Sequence, residues 1–119
     1  MAKKTPVVAR FADTDIEKCK GYLALQTHAS ARGIGFTMTF RRYCQLLKVK
    51  KCFYTGVTLD KSAARTDNHF TLDRVDSTGP YSNTNTVACA YSFNQRKGNV
   101  TAKEIQLLYT AFKKKKLIG

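Results

Sequence analysis

The chain has 119 residues, the size of one domain, and can bury about two-thirds of its unfolded surface without help from metal or disulfides. Its 21 Lys and Arg against 8 Asp and Glu give a formal charge of +13, an excess that attracts polyanions and makes nucleic acid the first partner to consider. A bilayer span is excluded, because no apolar run approaches the roughly 20 residues required, and without a signal peptide or a basic amphipathic terminal helix the chain reads as cytoplasmic.

Residues 1–12 read as an irregular basic lead. Thr14-x-x-Glu17 forms a capping box, in which hydroxyl and carboxylate satisfy free N–H groups at a helix start. Ile16, Cys19, Leu23 and Thr27 follow at helical spacing as the apolar face, with His28 partly buried, and Gly33 ends the helix. Residues 34–38 are extended. Thr39 caps a second helix, whose Phe40, Tyr43, Cys44 and Leu47 fall at i, i+3, i+4 and i+7 and form one buried stripe. Cys19 and Cys44 thus read as small core residues, in a compartment that keeps thiols reduced. Arg41, Arg42, Lys48, Lys50 and Lys51 lie on other faces or past the end, as a solvated surface or as phosphate contacts. Residues 13–51 are therefore a helical lead-in.

Residues 52–59 read as strand-turn-strand around Gly56, 60–68 as a polar loop, and 70–75 as an alternating strand. A Ser/Thr/Gly/Pro/Asn-rich loop covers 76–85, a second strand 86–89, and a short helix 90–98, so residues 52–99 make a strand-loop-strand-helix core. Thr101-x-x-Glu104 is a second capping box, and Ile105, Leu108, Tyr109 and Phe112 supply a core stripe to the last helix, so residues 100–119 are a C-terminal helix with a basic tail at Lys113 to Lys116. The expected fold is α+β, a single domain with a ββα unit flanked by N-terminal and C-terminal helices.

Within residues 71–99, the order Leu72-Asp73-Arg74-Val75-Asp76, Gly79-Pro80-Tyr81, Asn85 and Asn94-Gln95-Arg96-Lys97-Gly98 resembles the HNH, or His-Me finger, endonucleases of phages and mobile elements. The likeness extends weakly outward to Ala31-Arg32-Gly33-Ile34-Gly35-Phe36-Thr37 and to Cys52-x-Tyr54-Thr55-Gly56. The resemblance implies a ββα-metal finger in which Asp73 and Asn94 hold one divalent cation, Mg²⁺ or Mn²⁺, through hard oxygens, and in which Asn85 pins the loop and orients the base. It also implies a DNA endonuclease, in the host cytoplasm if phage-encoded, with Arg42, Arg74, Arg96 and Lys97 on the DNA backbone.

Two departures from the family pattern stand out. Family members place a catalytic His directly after the metal-binding Asp, where this chain has Arg74, which stays protonated and can clamp a phosphate but not deprotonate water. His69 lies four residues from Asp73, about 13 Å along an extended strand, which leaves Asp76 or a metal-bound hydroxide as substitutes. Many members also brace the unit with zinc on two C-x-x-C pairs; here the equivalents are Cys52-x-x-Thr55 and Cys89-x-x-Ser92. Neutral hydroxyls do not replace thiolates on structural zinc, so none is expected, and Cys52 and Cys89 are either a neighbouring relic pair or unrelated core residues. Two other classes stay open. A degenerate HNH domain would bind nucleic acid or a protein partner without cutting. An electrostatic RNA binder would need exposed stacking aromatics, whereas most Tyr and Phe here fit core stripes, so DNA is favoured over RNA.

Overall fold

The computed structural model describes residues 14–62 and 66–118, so the basic lead over residues 1–12 lies outside the described residues. In chain order the elements are α1 (Asp15–Ala31), α2 (Phe40–Leu47), β1 (Phe70–Arg74), β2 (Thr86–Ala90), α3 (Tyr91–Lys97) and α4 (Ala102–Lys114). None of these helices is long and apolar enough to cross a membrane.

Thr14 caps α1 by accepting from the Glu17 N–H at 3.2 Å. The Glu17 carboxylate faces Lys20 at 3.8 Å, so only half of the expected box forms. Gly33 ends the helix with φ 70°, a left-handed conformation that costs glycine little. The buried face of α1 is not the expected one. Ile16 is 68% and Leu23 59% exposed, and Cys19 and His28 are exposed too. Gly21 and Ala29 are buried instead, with Tyr22 and Leu25 against the core. Tyr22 decides the rotation: its ring meets Phe36, Phe40 and Tyr43 edge-on at 5.5, 5.3 and 5.6 Å, and its hydroxyl donates to Met38 O at 2.6 Å. An aromatic cluster with a satisfied hydroxyl outweighs the burial of an isolated Ile and Leu.

Thr39 caps α2 through the Arg42 N–H at 3.1 Å, and its own N–H donates to Asn83 Oδ1 at 2.9 Å, which ties the helix start to the 76–85 loop. Tyr43, Leu46 and Leu47 are buried, Cys44 is half-buried, and Phe40 stays exposed at the rim. The 52–59 segment makes a single antiparallel bridge, Lys51 to Thr58, around Gly56 at φ 77°, rather than two strands.

β1 and β2 pair antiparallel in unbroken register from Phe70↔Ala90 to Arg74↔Thr86. α2 packs on β2 and α3 on both strands, so all five β2 residues are buried while β1 is half-open. The core gathers Met38, Tyr43, Leu46, Leu47, Phe70 and Cys89. α4 has its full capping box, with Thr101 N–H on Glu104 Oε1 at 2.9 Å and Glu104 N–H on Thr101 Oγ1 at 3.1 Å. Its expected core stripe is nevertheless exposed: Ile105 by 37%, Leu108 by 54%, Tyr109 by 51% and Phe112 by 41%. Among the described residues the sheet packs against α2 and α3, and α4 lies away from it.

Candidate active site

Strand alternation sorts the β1 side chains. Thr71 and Asp73 face α3, whereas Arg74 faces the 76–85 loop. α3 follows β2 directly and has no side-chain cap. Its first N–H groups are satisfied across the sheet instead, Tyr91 donating to His69 O and Ser92 to Asp67 O, both at 2.9 Å. That docking turns Asn94 and Lys97, one helical turn apart, onto β1. Asn94 Nδ2 donates to Thr71 Oγ1 at 3.1 Å, two residues from Asp73 on the same face.

Asp73 Oδ2 accepts from two groups, the Tyr54 hydroxyl at 2.9 Å and the Lys97 ammonium at 3.1 Å. Lys97 Nζ also donates to Arg74 O at 2.9 Å, and its side chain is only 2% exposed. Lys97 therefore does not lie on the expected DNA-backbone surface: it is a buried cation whose partners are a carboxylate and a carbonyl, the arrangement a desolvated charge requires. Burial first, and then the hydrogen bond and charge of Asp73, push the Tyr54 phenol well above its ordinary range, so it remains a proton donor to the carboxylate. Tyr54 is held in turn by Phe93, ring to ring at 5.0 Å. The sequence signals for this cluster are Lys97 in the Asn-x-x-Lys-Gly ending and Tyr54 in the turn after Cys52.

Asn85 sits at the centre of the loop between the strands. Its Oδ1 accepts from Asp76 N at 2.9 Å, and its Nδ2 donates to Asp76 O at 3.0 Å and Pro80 O at 2.9 Å. A Cβ on Gly79 would come within 3.0 Å of Asn85 Nδ2, so the loop closes this tightly only around glycine. Arg74 Nη1 donates to Gly79 O at 2.8 Å, and its guanidinium lies 5.4 Å from the Tyr81 ring centre.

Asp76 is committed to the turn, its Oδ1 accepting from Thr78 Oγ1 at 2.7 Å and Thr78 N at 3.0 Å. These two bonds hold its carboxyl below the ordinary range, which weakens it as a base. His69 stays at the far end of an unkinked β1. Arg42 is half-buried with Nη1 on Gln45 Oε1 at 3.3 Å, and Arg96 is exposed on α3.

The two halved C-x-x-C sites abut. Ala90 N–H donates to Cys52 Sγ at 3.3 Å, and Phe53 N–H to Ala88 O at 2.9 Å. Burial works to raise the Cys52 thiol, but the Thr55 hydroxyl and the N–H groups of Ala90, Thr55 and Tyr54 outweigh it and lower the thiol overall. Burial pushes Cys89 up to about 12 against the opposing Thr71 hydroxyl. The 52–55 turn thus gathers N–H groups around the Cys52 sulfur.

For a divalent cation the donor set is a carboxylate and a carboxamide. Among the described residues there is no cluster of three or more His, Cys, Asp or Glu. No hydrogen bond among those residues reaches Asp73 Oδ1 or Asn94 Oδ1. Two open oxygens would suit a hard divalent ion that keeps most of its water and completes its shell with phosphate.

No family model and no curated protein matches the chain. Among solved structures it is similar to the rare-cutting HNH restriction endonuclease PacI, an enzyme described for its mechanism of DNA perturbation. The superposition has a TM-score of 0.58 at 20% identity and covers 94% of this chain and 89% of that chain. With its antiparallel strand pair, the α3 helix docked on it and the flanking helices, the chain has an HNH-type nuclease fold.

Proposed function

We propose that this protein is a divalent-metal-dependent DNA endonuclease that hydrolyses phosphodiester bonds at the ββα unit. The observation that carries this reading is that Asn94 of α3 donates to Thr71, two residues from Asp73 on the same face of β1, beside a loop stapled by Asn85. Bound there, Mg²⁺ or Mn²⁺ supplies charge stabilisation to the transition state and the leaving oxygen. Tyr54 and Lys97 fix the Asp73 carboxylate by one oxygen and leave the other to the site. Arg74 and the exposed Arg96 bring cations to the backbone, with Arg42 at the edge of α2. The description of PacI as a DNA-perturbing enzyme favours DNA over RNA.

Among the described residues no side chain at the site is placed as a strong general base, and a positioned base contributes roughly 10²- to 10⁴-fold, so cutting is slow. The test is nicking of supercoiled plasmid in Mg²⁺ or Mn²⁺ against a chelator control. Asn94→Ala and Asp73→Asn abolish nicking while retaining DNA binding, and Arg74→His, which puts an imidazole where the family carries its base, speeds it. Nicking by both site variants at the wild-type rate refutes the assignment. A second reading, a binding module that does not cut, is favoured by one feature: Arg74 at the base position, tied to Gly79 O. Inert wild type and inert Arg74→His in both metals establish that reading instead.

A further inference from the structure

On the opposite side of β1 from Asp73, an open cleft of about 550 Å³ lies between the α1–α2 link and the loop after β1. Arg32 and Arg74 line it, with glycines 33, 35 and 79 and no carboxylate. Its walls are fixed to each other. Tyr81 N–H donates to Gly35 O at 2.9 Å, Thr37 N–H donates to Tyr81 O at 2.8 Å, and Phe36 bridges Tyr81 in parallel. The walls approach so closely that a Cβ on Gly35 would stand 3.1 Å from Pro80 Cβ. The loop hydroxyls are spent inward, Ser77 donating to Asn99 O at 2.9 Å and Thr78 to Asp76 Oδ1 at 2.7 Å. The side-chain donors left to a ligand are therefore the Arg32 guanidinium and those N–H groups of Arg74 not spent on Gly79 O. Among the described residues neither is paired with a carboxylate, and Arg32 is exposed at the end of α1.

We propose that this cleft is a phosphate subsite, in which Arg32 and Arg74 jointly hold one backbone phosphodiester of the nucleic acid. Planar guanidinium forks match phosphate oxygens, and two cations that line one cleft with no carboxylate among its lining residues favour an anionic ligand there. The proposal rests on the nucleic-acid reading above and adds Arg32 to it. Because Asp73 and Arg74 are successive on β1, a strand crossing the end of β1 presents neighbouring phosphates to the two sides at once.

The experiment measures binding of a fluorescein-labelled DNA duplex by anisotropy across a series of KCl concentrations. Arg32→Ala lowers the log–log salt slope by about one unit and weakens binding roughly tenfold at low salt, equally for unrelated sequences. Arg32→Lys restores the slope. Lys20→Ala, which removes the same charge from an exposed position on α1, leaves the slope unchanged. An unchanged slope in Arg32→Ala, or an equal drop in Lys20→Ala, overturns the subsite even where plasmid nicking is intact. A slope that falls only in Arg32→Ala upholds it even if no variant nicks. A salt-insensitive wild type overturns both the subsite and the nucleic-acid reading.

Discussion

Replacing Lys97 with Met tests the core of the site without touching its exposed surface. The ammonium is 2% exposed, 3.1 Å from an Asp73 carboxylate that is itself 12% exposed, and 2.9 Å from Arg74 O. Met conserves volume, so packing is nearly kept, but the carboxylate loses one of its two donors and the carbonyl loses this ammonium contact. Breaking a buried pair from one side costs about 3–5 kcal/mol. For a chain of this length, at about 4 °C per kcal/mol, the melting temperature falls by roughly 12–20 °C. Asp73→Asn leaves the buried ammonium with only neutral acceptors and costs a comparable amount. In the double variant Lys97→Met/Asp73→Asn both charges are gone, and the loss is smaller than the sum of the singles by at least about 1 kcal/mol. Urea unfolding of the four proteins gives the coupling directly, provided the slopes agree. Additive losses, or a Lys97→Met within about 0.5 kcal/mol of wild type, refute the buried pair. The DNA-binding salt slope supplies an independent check: a buried ammonium touches no phosphate, so Lys97→Met leaves it unchanged.

The halved cysteine sites make a second prediction. The wild type purifies without stoichiometric zinc, whereas Thr55→Cys with Ser92→Cys completes four thiolates around the Cys52–Cys89 junction and binds it; at a thousandfold excess over Kd this adds about 4 kcal/mol to stability. Elemental analysis and melting with and without chelator decide, and a double variant that takes no zinc shows that the half-sites do not converge. The exposed stripe of α4 makes a third: Leu108→Ala costs less than about 1 kcal/mol, against about 2–5 kcal/mol for the buried Leu46→Ala. Equal losses in chemical denaturation show that α4 is buried in solution.

The residues that announced their structure in sequence did so through local chemistry. Thr39 and Thr101 cap helices because a hydroxyl reaches an N–H three residues on, and Gly33 and Gly56 turn the chain because a positive φ suits glycine. The ββα order followed from residues within one continuous stretch. Helical period was a weaker guide. It identified α1 and α4 as helices but not which stripe is buried, since Ile16, Cys19 and Leu23 repeat as regularly as Tyr22, Leu25 and Ala29. The choice between them is made by Phe36, Phe40 and Tyr43, which lie beyond the helix.

The site shows the same limit in its charges. Tyr54 is 19 residues from Asp73 in the chain, and Lys97 is 23 from Arg74. No local pattern records that these groups share one carboxylate and one carbonyl. A net charge of +13 says that the surface attracts polyanions, yet it counts Lys97 and Arg32 alike. Burial separates them. Lys97 has its anion inside the protein, while Arg32 stands in an open cleft beside Arg74, and among the described residues neither arginine forms a salt bridge with a carboxylate. On the proposed reading, the cations that meet a polyanion are those the fold leaves facing solvent. That sorting of like charges into structural and functional ones arises only when β1, α3 and the 76–85 loop come together.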